Sequence, residues 1–443
     1  MYQMLKGGLR NGAAVLGVTA LVPLALAGSV AAAEAPMAQE SIFSDSLRFT
    51  GRVVATLEDG REIRENAFLR GRLFHWKGRL EGLRPAPEER PDGHGRRPDI
   101  AAMGVEELAE ALRGVAMFQG HMFVEAKPPL ALARKVKRLE RLRREGGIEA
   151  LRRELPAVPP SYGEAGRLEE EGEAELAGGV SPQAVIGTDD RTVMNNLVYP
   201  HRAHIVFDNA GSRWVIESSQ GSGSLIGPST AMSVAHVFWD EARDTWEATH
   251  RWAPGYDSAD ADPSPWGEWT GCYWVTIPSA YTNGNDEFYD YAVLDFDVGC
   301  NSVRNGVNSD RPGSTVGWLG HYTASASEIE SRTGYLRGYP GTGTCGNPGQ
   351  SCGTRVWGDV SRSSENNVPF WWWDDHRIEY QADSSGGQSG SAFYHYADPT
   401  CAGCGYGAYL VGMHFHGHGG SYNDARRFDS TVLSFMRAYS SDY

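Results

Sequence analysis

Three short segments in the second half of the chain constrain its fold more than any other feature. In order they are Ser233-Val234-Ala235-His236, Tyr289-Asp290-Tyr291-Ala292-Val293-Leu294 and Gly386-Gly387-Gln388-Ser389-Gly390-Ser391. A serine hydroxyl is a poor nucleophile at neutral pH. It needs an imidazole within hydrogen-bond reach, and the imidazole needs a carboxylate to fix its tautomer and balance its charge. These residue types meet on unrelated folds in different chain orders. The order His, Asp, Ser goes with an all-β framework rather than with the α/β alternatives.

The flanking residues agree with that order. His236 follows Gly223-Ser224-Leu225-Ile226-Gly227, which reads as strand, turn and strand, and Asp290 opens an apolar β run that can bury one carboxylate oxygen. Ser389 is therefore assigned as nucleophile, His236 as general base and then acid, and Asp290 as the orienting carboxylate. Asp286, Asp295 and Asp297 compete for the acid role, and Asp295 and Asp297 read as solvated charges at a strand end. The rival histidines His201, His204, His250 and His321 follow no comparable small-residue strand. The N–H groups of Gly387 and Ser389 are the expected donors to a tetrahedral oxyanion, and glycine at 387 lets backbone approach a substrate closely.

Around this trio the chain divides. Residues 1–33 read as a secretory signal: Lys6 and Arg10, an apolar stretch from Ala13 to Ala27, then Ala31-Ala32-Ala33 before a cut at Glu34. Residues 34–184 are rich in Glu, Arg and Leu and read as an α+β propeptide. They comprise strands over 47–74 with a turn at Glu58-Asp59-Gly60, helices over 105–115 and 130–155, and a linker over 156–184. Residues 185–443 turn to Gly, Ser, Thr, Trp and Tyr, with short β runs at His204–Asp208, Trp214–Glu217, Cys272–Ile277, Tyr291–Phe296, Gly334–Gly338 and Leu410–His414. All six cysteines lie beyond residue 270, and in an exported chain they read as the disulfides Cys345–Cys352, Cys401–Cys404 and Cys272–Cys300. The formal net charge of −15 argues against a nucleic-acid partner, and no later stretch is apolar enough to span a bilayer once the signal is removed.

From Val185 to about Met436 the chain resembles the bacterial glutamyl endopeptidases, the V8-like serine proteases of the chymotrypsin fold. The resemblance runs through Val185-Ile186-Gly187-Thr188-Asp189-Asp190-Arg191-Thr192, Tyr199-Pro200-His201-Arg202-Ala203, the His236 and Asp290 segments, Gly338-Tyr339-Pro340-Gly341, Gly386-Gly387-Gln388-Ser389-Gly390-Ser391 and Gly412-Met413-His414. It implies a double β-barrel with the cleft between barrels, and a secreted serine endopeptidase made as a zymogen. It also implies a pocket for a glutamate side chain from Ser384 and His414, with positive charge from the freed amino group of Val185. Such a carboxylate must exchange its hydration for charge-assisted hydrogen bonds, and an imidazole can supply them. Ser391-Ala392 departs from the family's frequent Ser-Pro.

Two alternatives stand beside this reading. Asp383, six residues before Ser389, occupies the register that selects Arg or Lys in trypsin-like enzymes. The other alternative is an inactive secreted binding protein. Residues 34–184 hold 22 Glu and 4 Asp against 9 Glu and 21 Asp in residues 185–443, as suits an enzyme that spares itself and destroys its propeptide, though helix and loop preferences bias the counts the same way. No cofactor is expected and no metal, although His414, His416 and His418 alternate in a way that could converge imidazoles on a strand. Expected partners are protein and peptide substrates and the propeptide itself, as intramolecular inhibitor or folding aid, on a monomer.

Overall fold

The computed structural model describes residues 40–80, 97–166, 185–186, 189–209, 216, 219–240, 245–246, 250–284, 286–300, 302–341, 354–369, 375–399, 404–417 and 421–443. The expected signal peptide lies outside them, as do Cys345, Cys352, Cys401 and His418, and most of the expected strand over Trp214–Glu217.

The first segment supplies β1 (Glu40–Ile42), β2 (Leu47–Thr56), β3 (Glu62–Leu69), β4 (Arg72–Arg79), α1 (Val105–Ala111), β5 (Gly114–Phe118), β6 (His121–Glu125) and α2 (Leu130–Glu154). The strands expected over 47–74 are β2, β3 and the start of β4. The helix expected over 105–115 stops at Ala111, and Gly114 to Phe118 is instead a strand buried along its whole length. An apolar run of that length carries no period that separates a buried strand from helix. α2 opens after Pro129 and buries Leu132, Ala133, Val136 and Leu139 on one face. It breaks at Gly147, whose φ of 69° only glycine adopts readily.

The second segment begins a sheet with β7 (His204–Asn209), β8 (Gly221–Leu225), β9 (Thr230–Ser233), β10 (His250–Pro254), β11 (Trp269–Thr270), β12 (Trp274–Pro278) and β13 (Ala292–Asp295), with α3 (Ser279–Gly284) between the last two. Its order is β12-β13-β9-β8-β7-β10-β11. It continues without a break into the first segment, because β5 pairs antiparallel with β12 from Trp274↔Phe118 to Pro278↔Gly114. The result is one 13-stranded sheet. A second sheet holds β14 (Gly334–Gly338), β15 (Trp357–Ser361), β16 (Arg377–Tyr380), β17 (Ala392–Ala397), β18 (Gly407–Gly417) and β19 (Asn423–Arg427) in the order β16-β19-β18-β17-β14-β15, with Thr192–Val193 at its edge. A final helix α4 (Ser430–Tyr439) is capped by Asp429, whose side chain accepts from the N–H groups of Thr431 and Val432. The second segment is thus built almost wholly of strands in two sheets, the all-β framework expected from the order of the trio.

Residues 156–166, expected as the start of a linker, are packed rather than free. Val158 and His321 exchange backbone hydrogen bonds at 2.9 and 3.0 Å, and Ser161 and Trp318 do so at 3.0 and 2.9 Å. The disulfide Cys272–Cys300 forms as expected, and Cys404 is also disulfide-bonded. The pairings proposed for Cys345–Cys352 and Cys401–Cys404 involve residues outside the described ones. Among the described residues no helix is long and apolar enough to cross a membrane.

Candidate active site

His236 sits in a single helical turn, Ala235–Val237, directly after β9, and Asp290 ends the turn that leads into β13. β9 and β13 are hydrogen-bonded neighbours, with Ser233 opposite Ala292, so the two residues emerge side by side. Asp290 is fully buried and holds His236 twice. Its Oδ2 lies 2.7 Å from Nδ1 of the imidazole, and its Oδ1 accepts the His236 backbone N–H at 3.0 Å. The second bond fixes the carboxylate, and the first places the Nδ1 proton, leaving Nε2 as the basic nitrogen.

Ser389 lies on the loop before β17, where the two sheets meet. Its carbonyl accepts the N–H of Ser222 on β8 at 2.7 Å, and the next residue, Gly390, donates its N–H to the carbonyl of His414 on β18 at 2.8 Å. The loop is pressed hard against both sheets. Gly387 has φ +89°, and a Cβ there would strike the backbone nitrogen of Gly341 and lie 2.9 Å from the Ser219 carbonyl. The Gly387 carbonyl accepts the Ser219 and Ser222 hydroxyls at 3.1 and 3.0 Å. Among the described residues, neither the Gly387 nor the Ser389 N–H is used in a backbone hydrogen bond.

The residues expected to line the pocket are held by separate partners. Ser384 and His414 are both buried. The Ser384 hydroxyl donates to Oδ1 of Asn423 at 3.0 Å, and Asn423 donates to the Ala382 carbonyl at 2.7 Å. Nδ1 of His414 lies 2.6 Å from the Tyr380 hydroxyl and 3.2 Å from the Asp424 carbonyl. Val185 is half-buried, and its neighbour Ile186 donates its N–H to Oδ1 of Asp383 at 2.6 Å. The other oxygen of Asp383 accepts from the Asp190 N–H at 3.2 Å. Burial and the nearby Asp189 and Asp190 push the Asp383 carboxyl up to about 7 despite these bonds. Oxygens of Asp190, Asp359 and Asp383 lie within 4.8 Å of one another.

One sequence expectation in this region needs correction. Asp295 is not a solvated strand-end charge: it is fully buried, and burial pushes it up to about 8. Of the three alternating histidines, His418 lies outside the described residues. A register shift in the β18–β19 ladder separates His414 from His416, and the His416 ring lies parallel to that of His236 with centroids 6.0 Å apart. The rivals His204, His250 and His321 are core residues whose burial holds each down to about 3.

Arg191 went unassigned in the sequence. It is buried, forms a two-pronged pair with Asp189, and donates to the Ser385 hydroxyl at 2.7 Å and to Oε1 of Gln388 at 3.0 Å. It thus ties the segment after Val185 to the loop that carries Ser389. Only its place in Asp189-Asp190-Arg191-Thr192 marked it.

The chain is 29% identical over 259 residues to a glutamyl endopeptidase of Bacillus licheniformis, a match that takes in 57% of this chain and 68% of that protein. No family model matches. Among solved structures, a Glu endopeptidase in complex with MPD overlaps 57% of this chain and 98% of its own at 22% identity and a TM-score of 0.40. The protease Anisep from Arthrobacter nicotinovorans overlaps 56% and 99% at 16% identity and a TM-score of 0.39.

Proposed function

We propose that this chain is a V8-like serine endopeptidase of the chymotrypsin fold, exported as a zymogen, that cleaves peptide bonds after glutamate and less well after aspartate. In this reading His236 Nε2 takes the proton of the Ser389 hydroxyl as Oγ attacks the scissile carbonyl. The tetrahedral oxyanion is met by the N–H groups of Gly387 and Ser389, each worth about 3–4 kcal/mol in the transition state. His236 then gives its proton to the leaving amine, and an acyl-enzyme on Ser389 remains. Water repeats the sequence and frees the acid. The observation that carries the hydrolase reading is the double grip of Asp290 on His236 at 2.7 and 3.0 Å.

The glutamate preference is supported by the fixed His414 imidazole and the buried Ser384 hydroxyl. Tyr380 and Asp424 hold Nδ1 and so fix the ring, and an imidazole can gain positive charge when an anion arrives. The basic-residue alternative finds less support, because both oxygens of Asp383 already accept from backbone, one from Ile186 and the other from Asp190. Cleavage after Ala184 would free the Val185 amino group in that same region.

A panel of chromogenic peptides differing only in the residue before the cut, tried on purified processed protein, tests the preference. Glu peptides should turn over fastest. Faster turnover of Arg or Lys peptides would move the specificity to Asp383. Hydrolysis that survives Ser389→Ala would overturn the triad.

A further inference from the structure

We propose that residues 40–166 are a permanent structural subunit of the active enzyme, held without a covalent link after the linker is cut, rather than an inhibitor to be discarded. The proposal rests on the processing cut near Val185 proposed above. The first support is the sheet. β5 completes the edge of the β12 strand through five residue pairs, so losing it would leave β12 with an open edge in the middle of what is now a continuous sheet.

The second support is the core. Phe74, Phe118 and Phe123 of the first segment surround Trp274 of the second, with ring centroids 5.2, 6.0 and 5.3 Å away. Trp274 is fully buried, and so is Tyr439 on the last helix. The Tyr439 hydroxyl donates to Glu125 at 2.6 Å and lies 3.1 Å from the Leu112 carbonyl. Gly114 lies so close to that ring that a Cβ would be 2.7 Å from it. Removing the first segment would expose these aromatic faces together, an apolar patch that a freely secreted protein does not tolerate well.

The third support is a buried ion cluster. Glu140 on α2 is fully buried and bonds Arg97, Arg143 and Arg144. Arg97 and Arg143 in turn pair with Asp375 of the second segment. Departure of one partner from such a cluster leaves charge buried and unpaired.

The contacts also reach the catalytic acid. α3 and the turn after it lead to Asp290. Ser279, the first residue of α3, donates its N–H to the Arg113 carbonyl at 2.9 Å and its hydroxyl to the Glu110 carbonyl. The Arg97 guanidinium lies 5.6 Å from the centre of the Phe288 ring, two residues before Asp290. The first segment therefore positions the Asp290 loop from behind.

The test uses the full chain with a site for an unrelated, highly specific protease placed within residues 167–184. In the Ser389→Ala background, to prevent self-digestion, the linker is cut and the product run on native size exclusion. The two chains should co-elute at the mass of the uncut protein and separate only in denaturant. Separation under native conditions overturns the proposal, whether or not the released chain stays folded. In the active protein, the cut complex should hydrolyse a small peptide substrate without losing the first segment. A complex that is inactive until residues 40–166 depart would make that segment an inhibitor and overturn the structural role. Co-elution without hydrolysis by either the complex or the separated chain counts against the hydrolase reading and leaves the association standing.

Discussion

The two sheets that meet at the candidate site are supported in opposite ways. The sheet that carries His236 and Asp290 is extended by six strands from residues before the proposed cut, and its Asp290 loop leans on α1 and Arg97. The sheet that carries His414 and follows the Ser389 loop ends instead in the two-residue strand Thr192–Val193. Its nucleophile loop is tied down by Arg191, only six residues beyond Val185. The acid–base side is thus buttressed by the part of the chain that the proposed cut would sever, and the loop of Ser389 by the part that it would leave with a new terminus. Events at the linker should act mainly on the second.

The largest effect expected from breaking either side falls on the first. Asp290→Asn keeps the shape but offers the imidazole the wrong hydrogen-bonding partner. It should lower kcat by about 10⁴-fold with little change in KM. A loss of tenfold or less in stopped-assay kinetics would mean another carboxylate orients His236. Next comes Arg191→Met, which leaves Ser385 and Gln388 without their shared donor and strands Asp189 as a buried unpaired charge. Displacement of the loop by a fraction of an ångström should cost about 10²-fold in kcat while KM for small peptides moves little. Arg191→Lys should not rescue it, since an ammonium cannot replace the guanidinium fork. A loss of stability in the Ser389→Ala protein as large in free energy as the loss in kcat would reduce Arg191 to a purely structural role. Smaller still, Ser384→Ala should raise KM about tenfold for Glu peptides and leave peptides with an uncharged residue at that position nearly unchanged. A uniform rise across the panel would place Ser384 outside the pocket.

What the sequence made legible was local, and what it hid was distant in the chain. The trio could be proposed because each member is framed by its own neighbours, glycines around Ser389, an apolar run after Asp290 and small residues before His236, and of its contacts the structure shows the pairing of His236 with Asp290. Helix α2 was legible because its buried residues recur with helical spacing over a long stretch. The β5–β12 pairing was not, since Gly114–Phe118 is apolar throughout and lies more than 150 positions from the strand it joins. Arg191 was hidden for the same reason, as its partners are Ser385 and Gln388. Asp295 misled because an acid after an apolar run ordinarily faces water. Here the last residues of the chain fold over it, and Ser441 donates its hydroxyl to Oδ1 at 2.7 Å.

Asp290 and Asp295 sharpen the contrast between use and cost, because both are fully buried at the two ends of one strand. Asp290 faces an imidazole. Asp295 accepts only from the Ser441 hydroxyl and the Asp297 N–H, and its Oδ2 has no partner among the described residues. Burial therefore favours its neutral form and pushes it from the usual 3.8 up to about 8. The sign follows from proton uptake. Between about pH 4 and pH 8 the unfolded chain has released this proton and the folded chain has kept it. Folding then costs about 1.4 kcal/mol more for each unit of pH, a penalty absent below pH 4. Asp295→Asn keeps both donors to Oδ1 and cannot ionise, so it removes that slope. In the Ser389→Ala background, urea midpoints of the two proteins should nearly coincide at pH 4.5, and by pH 8 the Asn protein should be the more stable by a few kcal/mol. A gap that stays constant with pH, or one that favours the aspartate at pH 8, would mean that Asp295 is ionised and paired in the folded chain, and the two acids would then differ in their partners rather than in their charge.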